Sequence, residues 1–85
     1  MMEQQRKSVL EKIEVLVQTI YSPDQLDLTK KFVDFLEALE DYIKVMPENA
    51  ESICNILKQV ELAYEIKDYI ALSDFVSYEL KPQII

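Results

Sequence analysis

Glycine is absent from all 85 residues of this chain. It is the default residue wherever a backbone must take positive φ, so the composition excludes glycine-based hairpins, phosphate-cradling loops and dinucleotide-binding turns. Histidine and tryptophan are missing as well. Their absence removes the commonest general base, the commonest transition-metal ligand and the strongest interfacial anchor. Cys54 is the only cysteine, which rules out an intrachain disulfide framework and fits a reducing compartment. There is no long apolar run at the start either: a polar Met1–Lys7 segment leads into apolar residues broken by Glu11, Lys12 and Glu14. Neither a signal peptide nor a membrane span can be drawn there, and the chain reads as cytoplasmic.

What is present is acidic and helix-forming. The formal net charge of −7 repels polyanions. Arg6–Lys7 and Lys30–Lys31 are the only adjacent basic pairs, so no basic stripe is available to nucleic acid. Apolar residues at 49 % and charged residues at 29 % place the chain among folding globular domains. Its length suits one domain, residues 1–85, and buries roughly 60–65 % of the unfolded surface. Association with a copy of itself or with a partner is one remedy for so small a core.

Three prolines divide the sequence. Ser22, Pro23 and Gln25 form a helix start, with serine as N-cap, proline at the first helical position and glutamine closing a capping box. Pro47 marks a second boundary after Met46, and Glu48 and Glu51 put negative charge in the first turn that follows. Pro82 is expected to end the last helix.

Between these marks apolar residues recur at helical spacing. Val9, Leu10, Ile13, Leu16, Val17 and Ile20 make the first stripe. Leu28, Phe32, Phe35, Leu36, Leu39, Tyr42, Ile43 and Met46 make the bulkiest, opposite a charged face with Lys30–Asp34 and Glu40–Lys44 at i,i+4. Ile53, Ile56, Leu57, Val60, Ala63 and Tyr64 follow. The phase is then lost near Lys67, where Asp68 can cap a new helix carrying Tyr69, Leu72, Val76 and Leu80. The pattern predicts an all-α antiparallel bundle of four helices, roughly 4–20, 23–46, 48–66 and 69–81, whose short joints lay sequential helices side by side. The fallback is three helices with the last two merged.

Chemistry is thinly represented. Asp34, Glu37, Glu40 and Asp41 form the densest acidic cluster, but they lack the glycine turn of calcium loops and the Glu-x-x-His of di-iron bundles, and read as a solvated face. Cys54 has no imidazole to activate it and reads as a small hydrophobe beside the third stripe. No catalytic, cofactor or metal residue is assigned, and the chain reads as no enzyme. Leu62, Ile66, Phe75 and Tyr78 fall off their stripes. Either they form a partner-binding surface, or the phase is one position out and they belong to the core.

Ala63-Tyr64 before Asp68-Tyr69, then Ala71-x-x-x-Phe75 with Pro82 following, resembles part of a tetratricopeptide hairpin. That family's tryptophan-bearing half and its glycine are missing, so the likeness supports a helix–turn–helix only. The stretch from Lys67 to Pro82 is also similar to the tails of small uncharacterised helical proteins of Gram-positive bacteria. Two functions stay open. One is a small acidic interaction module, adaptor, chaperone-like or regulatory, that binds a protein partner or itself as a homo-oligomer. The other is a ligand binder or enzyme using tyrosine and carboxylates in an inter-helix cavity.

Overall fold

The helical period of the apolar residues becomes helix almost throughout. A computed structural model describes residues 2–22 and 27–84. Its elements are α1 (Met2–Tyr21), α2 (Leu28–Val45), a 3₁₀ turn (Pro47–Asn49), α3 (Ala50–Glu65) and a C-terminal helix in three parts. Those parts are α4 (Tyr69–Asp74), a π-helical stretch (Phe75–Leu80) and α5 (Lys81–Ile84). The described residues contain no strand. The fold is the expected all-α arrangement of four helices.

The boundaries differ at three places. The capping box drawn on Pro23 and Gln25 lies outside the described residues, and α2 begins at Leu28, with Lys31 N–H donating to the Asp27 carbonyl at 2.9 Å. Pro47 opens the 3₁₀ turn, and the α-helix proper starts three residues later. The third difference concerns Pro82, which does not end the last helix but sits inside α5. Proline has no N–H to give the carbonyl four residues back, and its ring crowds that carbonyl. Here the preceding turns already bond in the wider i→i+5 pattern, so the missing donor falls where the α ladder is interrupted anyway.

The π stretch also keeps the core in register. Leu72, Val76, Leu80 and Ile84 recur strictly every four residues, and all four are buried. On an α-helix each such step overshoots a full turn by roughly 40°, so three steps would carry Ile84 about 120° from Leu72. A wider turn absorbs that drift.

Between α3 and α4 the chain reverses in three residues without glycine. Lys67 takes the left-handed conformation, φ 61°. Its N–H donates to the Tyr64 carbonyl at 3.1 Å, and the next N–H, of Asp68, reaches the Ala63 carbonyl at 2.9 Å. This is the Schellman closure, normally built on glycine. Lacking glycine therefore did not exclude a positive-φ turn; a lysine bears the steric cost instead. Asp68 caps the new helix as expected, its Oδ1 accepting from Ala71 N–H at 3.2 Å. Relieving the Cβ clash outweighs the extra entropy of an unfolded glycine, so Lys67→Gly is expected to stabilise the domain by about 0.5–1 kcal/mol. A denaturant midpoint that rises at constant m-value is the check; an unmoved midpoint would contradict the strain argument.

One contiguous core draws on every helix: Val9, Ile13, Leu16 and Ile20 from α1, Phe32, Phe35, Leu39 and Tyr42 from α2, Ile53, Val60 and Ala63 from α3, and the C-terminal series. α1 packs closely along α2, and the C-terminal helix packs on α1 and α3. α2 and α3 are joined through the 3₁₀ turn and meet through side chains, but their backbones hardly approach one another. Side-chain size accounts for this, because interaxial distance follows the residues at the contact. The small residues Ala38 and Ser8 both line the α1–α2 cleft. By contrast, α2 and α3 present Leu36, Ile43, Leu57 and Tyr64 to each other's side. Walking around the bundle, the order is α2, α1, C-terminal helix, α3, with one side left open.

Candidate functional site

The open side is an apolar groove. Leu36, Leu39, Ile43 and the Glu40–Lys44 pair line it from α2, and Cys54, Leu57 and Glu61 from α3, around a volume of about 460 Å³. Leu39 is fully buried in its floor, while Leu36, Ile43 and Leu57 are partly buried against the core. Residues 36 to 44 cover about 12 Å of α2 at ~1.5 Å per residue, or two helical turns. The lining positions repeat at three- and four-residue intervals on both walls, so each wall is a ridge along its helix.

Aromatic rings fix the width at one end. Phe32 and Tyr64 stack with centroids 4.1 Å apart and planes at 4°. The Tyr64 hydroxyl lies 2.7 Å from Thr29 Oγ1, and Tyr69 packs behind it at 6.4 Å and 55°. At the other end the α2–α3 corner is tied to the C-terminal helix, Asn49 Nδ2 donating to the Gln83 carbonyl at 3.2 Å. A filled space at one end and a tethered corner at the other hold the gap between them.

Charge sits only at the lip. Lys44 Nζ lies 3.8 Å from Glu40 Oε1, and both side chains are solvated. The carboxylates Asp34, Glu37 and Asp41 face elsewhere, beside Lys12 and Ser8 in a shallow polar cleft between α1 and α2. Among the described residues no three acidic or cysteine side chains gather as metal donors.

The four residues that fell off their stripes separate. Leu62, Ile66 and Tyr78 stand 57 %, 65 % and 77 % exposed, whereas Phe75 is half-buried and packs against the core. Ile70, which the sequence reading did not single out, is also exposed. Leu62 and Ile66 lie roughly 100–140° around α3 from Glu61, so they do not line the groove. Tyr78→Ala should change stability by no more than ~0.5 kcal/mol. Phe75→Ala, losing half-buried apolar area, should cost about 1–1.5 kcal/mol, half the value for full burial. Circular dichroism melts of the two variants give the comparison, and equal melting temperatures would show Phe75 to be as idle in the fold as Tyr78.

Sequence reasoning missed the groove because Leu36, Ile43 and Leu57 look like ordinary stripe members. The signal was the width of the α2 stripe, which is broader than one packing face requires. Cys54, read as a small hydrophobe beside the core, is exposed at the groove instead.

A family model described as a domain of unknown function (DUF8042) matches residues 3–85, and the chain belongs to that family. No curated protein and no solved structure matches it significantly.

Proposed function

We propose that this DUF8042 domain is a protein-interaction module that seats an amphipathic helix of another polypeptide in the groove between α2 and α3. The observation that carries the reading is the apolar gap between two helices held apart. A helix laid along both ridges would bury Leu36, Ile43 and Leu57 and complete the side of the bundle that the chain leaves open, the helix-in-groove mode of recognition. The lining is poor in chemistry by comparison: its one thiol has no imidazole in the chain to activate it, and Glu40 and Lys44 are occupied with each other.

The test uses a displayed library of helical peptides selected on the intact domain, with Cys54→Trp as the groove-filling variant. Cys54 is exposed, so a larger ring there should leave the fold intact while occupying the gap. Selected peptides are expected to carry apolar residues at i, i+3 or i+4, and i+7. They should lose at least tenfold in affinity for the variant, equivalent to about 1.4 kcal/mol. Binders indifferent to Cys54→Trp, or none at all, would remove the groove as the site.

A further inference from the structure

Resting on that reading, we infer that the helix accepted by the groove is basic, with apolar anchors along one face and lysine or arginine flanking them. Acidic residues flank the apolar floor. The rim of α3 beside the groove carries Glu61, with Lys58 one turn before it and Glu65 one turn after it, and the α2 side carries Glu40 and Lys44; all five are exposed. Lys44 is within ion-pair distance of Glu40, so the three carboxylates are only partly answered by the two amines. The wider field has the same sign, at −7 for the whole chain. A cationic helix would be drawn in at long range and would find carboxylates on both sides of its apolar face. A second copy of this domain is the wrong occupant on the same grounds, because it brings another −7 to an acidic rim. An acidic amphipathic helix fits the floor but is repelled by the edges, and it is the occupant that the rim selects against.

Three synthetic helices that share one apolar stripe and differ only in their flanking residues (lysine, glutamine or glutamate) separate the inference from the reading beneath it. Affinities for the intact domain are measured by fluorescence anisotropy at low and high salt. The lysine peptide is expected to bind at least tenfold tighter than the glutamine peptide at low salt, with the glutamate peptide weakest. The ratio should collapse toward one at high salt, where the Debye length falls to about 3 Å at 1 M. Glu61→Gln together with Glu65→Gln should weaken the lysine peptide more than the glutamine peptide and so narrow the preference severalfold. Equal binding of the lysine and glutamine peptides, sensitive to Cys54→Trp, would overturn the basic partner and keep the groove. Failure of all three peptides would overturn both. So would a concentration-dependent dimer of the domain alone that Cys54→Trp dissolves, since the groove would then belong to a second copy.

Discussion

Phe35→Ala should remove a large share of the domain's stability. Phe35 sits at the middle of α2, is fully buried, and belongs to the core shared by all four helices. Its ring packs in a tilted arrangement 6.1 Å from that of Phe32, which in turn is stacked on Tyr64. Truncation therefore opens a cavity at the root of the aromatic contact that sets the α2–α3 spacing. Phenylalanine-to-alanine changes in packed interiors cost about 3–5 kcal/mol. A chain of this length has roughly 4–13 kcal/mol of stability in all, at ~0.05–0.15 kcal/mol per residue. The loss should appear as a large fall in melting temperature and, before unfolding, as weakened binding of any helix in the groove. A melting temperature within a few degrees of wild type would mean that α2 does not present this face to a core.

How far the sequence could be read follows from what periodicity encodes. The stripes on α1, α2 and α3 give the buried faces correctly because a 3.6-residue period fixes which residues share a side. Asp68 was legible as a cap because its chemistry is local. The Lys67 turn was not, since a residue that tolerates left-handed geometry at a cost leaves no mark of its own in the sequence. The groove was hidden for a different reason. Periodicity says which way Leu36 and Leu57 point, but not how far apart their helices stand, and that distance is set by the ring stack of Phe32 and Tyr64 in three dimensions. Of the four residues read either as a partner surface or as core, Leu62, Ile66 and Tyr78 are exposed, whereas Phe75, about 60° in phase from Leu72, is half-buried against the core.

Ile84→Ala carries the second large effect, and it falls beyond the point at which Pro82 should have stopped the helix. A helix ending at residue 81 would leave Ile84 in a solvated tail, where truncation to alanine is nearly silent. Instead Ile84 is 1 % exposed and closes the series Leu72, Val76 and Leu80, with α5 packed on α1. An isoleucine so buried should cost about 2–5 kcal/mol when cut to alanine, and the upper part of that range applies if neighbouring side chains cannot collapse into the space. Its position near the end of the helix allows some collapse, so we expect about 2–3 kcal/mol. The same variant bears on the π stretch. Pro82→Ala restores the missing donor and permits regular α bonding, which would rotate Ile84 relative to Leu72 and expose part of it. If the wide turn is there to keep four-residue spacing in register, Pro82→Ala should gain little despite alanine's higher helix propensity, and Ile84→Ala should cost less in the Pro82→Ala background than alone. Denaturant titrations of the two single variants and the double variant supply the cycle. Strict additivity, or an Ile84→Ala cost below about 0.5 kcal/mol, would show that the C-terminal turn is decoration on a core that ends at Leu80.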